Sequence, residues 1–181
     1  TLDQYINDIN NTLIREDIDR NLCIIGHSWG AMLALDYAVK NPTKVKGLIL
    51  IGSPGYSLDF VQAMNNEIFR RTTASEMDSL KLYFGQLNSG KYLAEKDQIL
   101  EKVGALTVSK QFYNPTLAKE LEKYGSLNSK INSLMMGNLK NEKWNVLNEI
   151  EMLDIPVVII NGSYDPIPRI FVERMNESLP N

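Results

Sequence analysis

Ser28 is the residue of this 181-residue chain best placed to do chemistry. It stands in "LCIIGHSWGAMLA", Leu22–Ala34, where an apolar run gives way to a helical pattern, with Gly26 and Gly30 two residues to either side. G-x-S-x-G alone should occur by chance in about one chain in twenty of this size, so its context has to decide. A strand directly before and a helix directly after is the setting of a nucleophile elbow, a strained turn that presents the serine hydroxyl. Side chains at the flanking positions are expected to collide with the neighbouring strand and helix, which accounts for Gly26 and Gly30. The helix start offers backbone N–H groups and a positive dipole end to a developing oxyanion, with the Trp29 N–H as first donor.

A serine nucleophile needs a base, and the only histidine here is His27, the serine's own neighbour. In such a turn the residue before the serine points away from the nucleophile's side chain, so His27 is a poor base. The expectation is a site whose base is missing from these residues.

The elements that must position Ser28 follow from the apolar pattern. Leu22–Ile25, Leu48–Ile51 and Val157–Ile160 are short continuous apolar runs, as expected of parallel strands covered on both faces. Leu2, Tyr5, Ile6, Ile9 and Leu13 give residues 2–16 a helical apolar face, and Thr1-Leu2-Asp3-Gln4 fits a capping box. Residues 29–40 read as a second helix, with Ala31 and Ala34 small enough to lie close on the sheet, stopped by Asn41-Pro42. The front third is thus helix, strand, helix, strand, a crossover feeding a parallel sheet. Leu22–Ile25 is expected at a sheet edge, where its unpaired backbone would invite a partner.

Between Tyr56 and Asp154 the pattern is helical. Phe60, Met64 and Ile68, then Met77, Leu80 and Phe84, mark two amphipathic helices, with breaks near Thr72-Thr73, Asn88–Gly90, Asn114-Pro115 and Gly125-Ser126. A helical insertion between sheet strands reads as a cap, so the expected domains are a core of 1–55 and 154–181 and a cap of 56–153. Met135 and Met136 read as core filler, and "KNEK" at 140–143 as a solvated turn or helix start.

Composition narrows the function classes. A chain 44% apolar and 23% charged has the make-up of a globular protein, and a formal charge of −3 gives no electrostatic case for nucleic acid or an anionic membrane. No apolar stretch approaches the roughly 20 residues of a membrane span. Cys23, the single cysteine, is expected to be a buried small hydrophobe. No Walker A loop, no G-x-G-x-x-G after a strand and no histidine cluster supports a nucleotide cofactor or a metal. The compartment expected by default is the cytoplasm.

"GHSWGAMLALDYAVKNPTKVKGLILIGSPG", residues 26–55, resembles the α/β-hydrolase superfamily, in particular capped members related to proline iminopeptidases. "IPVVIINGSYDPIP", residues 155–168, is similar to the family's later strand and acid loop, with Gly162-Ser163-Tyr164-Asp165 matching its G-x-x-D. The resemblance covers the chain by order of elements, is specific at these two segments, and is loose in the cap. It implies a partial α/β-hydrolase core, a parallel sheet with flanking helices, and a helical cap between strands. Ser28 would be the nucleophile and Asp165 the acid that orients and charges the histidine. Read on its own, Asp165 is also an Asp-Pro turn former at a strand end, and its position directly after a buried strand favours the acid role. Family members place the catalytic histidine one strand further on, beyond Asn181, and their first strands would precede Thr1. A chain reduced to these residues is expected to be inactive until a complementing fragment, or a second copy across the sheet edge, supplies the rest.

The reaction implied is cleavage of an ester or amide through an acyl-enzyme, on a small molecule or short peptide. An aminopeptidase of proline iminopeptidase type and an esterase for small or lipid-like acyl groups are the two forms. Some such aminopeptidases bind the substrate's free amine with acidic residues near the acid loop, and Pro166 occupies one such position here. A module that kept the elbow, lost the base and only binds is the alternative of another class.

Overall fold

The structure is a computed structural model and describes residues 1–121 and 129–180. Its elements run α1 Leu2–Arg15, β1 Leu22–His27, α2 Trp29–Lys40, β2 Val45–Ile51, α3 Asp59–Arg70, α4 Ala74–Ser89, α5 Lys96–Val108, two 3-10 turns, α6 Ala118–Leu121, α7 Ser129–Asn141, α8 Leu147–Ile150, β3 Val157–Ile160 and α9 Arg169–Ser178. The three strands form one parallel sheet in the order β1-β2-β3. β1 therefore lies at an edge, as its place in the sequence suggests.

The helix starts follow from side-chain chemistry. The Thr1 hydroxyl accepts from the Gln4 N–H at 3.3 Å while the Gln4 side chain accepts from the Thr1 backbone nitrogen at 2.7 Å, the reciprocal box that satisfies orphan donors. Thr73 and Glu76 repeat the device at α4, and Gly90 ends that helix in the left-handed conformation. Asn114 opens the second 3-10 turn by accepting from the Thr116 N–H. The expected break at Gly125-Ser126 lies outside the described residues. At 140–143, α7 ends and a turn follows, with Lys143 at a positive φ of 51°.

Two compact units make up the chain. The first takes in Thr1–Val61, the stretch from α7 to Ser163, and Ile167 onward; the second takes in Gln62 through α6 together with Tyr164–Pro166. In the first unit α2 packs on β1 and β2. Ala31, Met32, Ala34, Leu35, Tyr37 and Ala38 are all buried, so α2 is covered on nearly every side. Each of the larger of these side chains contributes about 1.5–3 kcal/mol by leaving water. Asp36 is buried among them and is held by the Trp144 indole N–H at 3.3 Å and the Lys40 ammonium at 3.0 Å. Met135 is buried and Met136 half-buried, in keeping with packing roles. In the second unit the buried apolar residues include Ile68, Leu80 and Ile99.

Two expectations need correction. The strands were expected to be covered on both faces, yet Ile25, Val158 and Ile160 are 65%, 51% and 52% exposed. Ile25, Ile49 and Val158 are register partners, as are His27, Ile51 and Ile160, so they share one face of the sheet. α2 covers the opposite face, and among the described residues this one stays open. Cys23 is likewise exposed rather than buried, because strand alternation places it on the same face as Ile25.

Candidate active site

β1 runs two residues further than its apolar core, through Gly26 and His27, and α2 begins at Trp29. Ser28 alone joins the two, with φ 52° and ψ −120°. A positive φ at a residue with a Cβ is uncommon and costs about 1–3 kcal/mol. Flanking bonds hold it there: the Ser28 N–H donates to the Ile51 carbonyl at 2.9 Å, and the Ser28 carbonyl accepts from the Ala31 N–H at 2.9 Å. The hydroxyl makes no capping bond to the helix, and the side chain is exposed. The strand thus ends, the chain reverses its backbone sense in one residue, and the hydroxyl is left facing outward.

The two glycines are not equivalent. A Cβ on Gly26 would sit 2.3 Å from the Gly30 carbonyl oxygen and 2.8 Å from the Ala31 Cα. These are backbone atoms, so nothing can move aside cheaply. At Gly30 a Cβ meets nothing within 4 Å. The collision expected at both positions is found at Gly26, because only there does the turn fold back over the strand.

Trp29 and Gly30 open α2, in the turn whose N–H groups have no intrahelical acceptor. The Trp29 ring packs edge-on against Tyr5 of α1, with centroids 4.9 Å apart. Its indole N–H is buried without a partner among the described residues. This anchors the residue whose amide follows the serine. His27 is exposed on the open face of the sheet, and no hydrogen bond links it to Ser28. Gly26, Ser28, Trp29 and Gly30 are thus brought together in the first unit.

Asp165 lies in the loop after β3, is half-buried, and belongs to the second unit. β1 and β3 flank β2 in a parallel sheet, so Ser28 and the loop that leads to Asp165 both follow C-terminal strand ends. Within the first unit the Asn161 side chain takes the Ser53 N–H at 3.3 Å and donates to the Ser53 carbonyl at 3.5 Å, pinning the start of that loop to the turn after β2. Tyr164 stacks under the Arg71 guanidinium, 4.0 Å from ring centroid to carbon. Nothing in the sequence marks Arg71, since an arginine at a helix end is ordinarily solvated. Hollows of about 460 Å³ beside Pro156 and about 570 Å³ between α1 and α7 are lined by neither Ser28 nor Asp165. Among the described residues no group of three or more His, Cys, Asp or Glu could hold a metal ion, and no helix is long and apolar enough to cross a membrane.

The family profile described as alpha/beta hydrolase fold matches residues 2–181. The chain belongs to the alpha/beta hydrolase fold family. A proline iminopeptidase of Elizabethkingia meningoseptica is 23% identical over 185 aligned positions, covering 96% of this chain and 60% of the relative. A proline iminopeptidase of Flavobacterium johnsoniae is also 23% identical, over 208 positions with the same coverage. Among solved structures, an alpha/beta fold family hydrolase from Bacillus anthracis superposes with a TM-score of 0.68 at 20% identity, covering all of this chain and 64% of that one. The proline iminopeptidase of Mycobacterium smegmatis gives 0.63 at 14% identity, covering 61% of that chain. These structures speak for the alpha/beta hydrolase fold. The chain spans about 60% of the length of the curated relatives it matches.

Proposed function

We propose that this chain carries the nucleophile and the acid of a serine hydrolase that cleaves an ester or amide through an acyl-enzyme. The observation that carries the reading is Ser28 held at φ 52° between the end of β1 and the first residue of α2. In the reaction Ser28 Oγ attacks the substrate carbonyl and its proton passes to a histidine outside these 181 residues. The Trp29 N–H donates to the oxyanion, the histidine returns the proton to the leaving group, and water then releases the acyl group. Asp165 orients that histidine and stabilises its charged form. Residues 56–153 act as a helical cap that encloses a small-molecule or short-peptide substrate.

The curated relatives support a peptidase that removes N-terminal proline. One observation favours a small-ester substrate instead. Glu67 is engaged by Arg70 and Arg71, and Glu76 by Lys110, so these two carboxylates of the helical stretch are already matched by cations of their own chain. A substrate amine would have to displace those partners.

The test uses a serine-directed fluorophosphonate and intact mass on the full-length gene product that contains these residues. An adduct that maps to Ser28 and disappears in Ser28→Ala supports the reading. No adduct on that product would sink it and leave a binding module. An adduct on the full-length product but not on residues 1–181 alone would show that the base comes from elsewhere. Rates on a prolyl arylamide against a butyryl aryl ester then separate the two substrate classes.

A further inference from the structure

Arg71 follows the last residue of α3, and its side chain is only 10% exposed. Its Nε–H donates to Glu67 Oε1 at 2.8 Å. Nη1 donates to two backbone carbonyls, those of Lys110 and Tyr164, both at 2.9 Å. Nη2 reaches the Asp165 carbonyl at a longer 3.4 Å. Four of the five N–H groups of the fork are thus used, three of them on backbone oxygens. The guanidinium carbon also lies over the Tyr164 ring, 4.0 Å from its centroid, and that ring's edge contact with Tyr113 has centroids 5.5 Å apart.

We infer that Arg71 is a positioning residue that fixes the backbone of Tyr164 and Asp165, and through it the direction of the Asp165 carboxylate. The inference rests on the proposed role of Asp165. Two consecutive carbonyls turned toward one cation leave the peptide planes around Asp165 little freedom to rotate. Bonds to a guanidinium that is nearly out of water are charge-assisted and stronger than neutral ones. Glu67 holds the fork from the other side, so the guanidinium cannot swing away without losing its carboxylate. Lysine cannot replace it: an ammonium is a point donor without a planar face, and it cannot serve three separated carbonyls while covering an aromatic ring. Neighbouring Arg70 is a natural control, because it is 73% exposed and its bonds are to Glu67 alone.

The experiment compares wild type, Arg71→Ala, Arg71→Lys and Arg70→Ala in the full-length gene product by peptide-resolved hydrogen exchange and by ester-hydrolysis kinetics. Both Arg71 variants are expected to speed exchange across residues 162–168 by at least tenfold while peptides of α4 and α5 keep their protection. They are expected to lower kcat at least tenfold with KM within about twofold, and Arg70→Ala to change neither. Unchanged exchange at 162–168 in Arg71→Lys, or an unchanged kcat, would overturn the proposal. Exchange that rises equally throughout α4 and α5 would also overturn it, since Arg71 would then be a general prop. A wild type that takes no fluorophosphonate is a failure of the nucleophile reading, and the exchange measurement still decides whether Arg71 fixes the loop.

Discussion

Of the two glycines flanking Ser28, Gly26 is the one where the backbone leaves no room for a side chain, with the Gly30 carbonyl 2.3 Å from where a Cβ would sit. Gly26→Ala is therefore expected to shift the turn, cost about 1–3 kcal/mol as an overpacked site does, and abolish labelling of Ser28 by a fluorophosphonate. Gly30→Ala, with nothing within 4 Å, should keep a melting temperature close to wild type. Paired thermal melts and labelling assays check both. The difference could not be read from the pattern Gly26-His27-Ser28-Trp29-Gly30, which is symmetric in sequence. It arises because α2 turns back over β1 on one side of the serine only. Cys23 illustrates the same limit, since an apolar neighbourhood in sequence says nothing about which face of a strand is covered.

Among the elements, helix starts, faces and stops were legible because each rests on contacts within about four residues. Thr1 with Gln4, the apolar triplets of α3 and α4, and the stop at Asn41 are of this kind. Arg71 was not legible, because its acceptors at Lys110, Tyr164 and Asp165 are 39, 93 and 94 residues away. The α3 terminus also has a definite pH response. Hydrogen bonds from Arg70, reinforced by Arg71 against the cost of burial, hold the Glu67 carboxyl at about 2 instead of 4.5. A depressed carboxyl contributes stability above its unfolded value, and that contribution falls away as pH drops from about 4.5 through about 2. Melting temperatures should thus be insensitive to this group from pH 7 to 5 and fall below pH 4.5. In Glu67→Gln that acid-side fall should be smaller, and an unchanged fall would place the linkage elsewhere.

For the molecule as a whole, a parallel sheet with β1 at an edge was foreseeable from three apolar runs and the helix between the first two, whereas the place of β2 between β1 and β3 was not. The open face carrying Ile25, Val158 and Ile160 was not, because a continuous apolar run reads alike whether one face is covered or both. Adjacent exposed aliphatics of this kind attract apolar partners. Residues 1–181 purified alone are expected to bind an anilinonaphthalene dye and to associate as concentration rises. Ile25→Ser with Val158→Ser should at least halve the dye signal without loss of helical circular dichroism, and an unchanged signal would mean the dye binds elsewhere. The guanidinium bridge of Arg71 has a consequence of a different order. It ties the end of α3 to the loop after β3, although some 90 residues separate them in the chain. A recombination that imported helices 62–121 from a relative as a cassette would have to bring an arginine at the matching position, or leave the recipient's Tyr164–Asp165 turn without its anchor. Grafting such a cassette is therefore expected to be more sensitive to the residue at position 71 than to exposed Arg70 beside it.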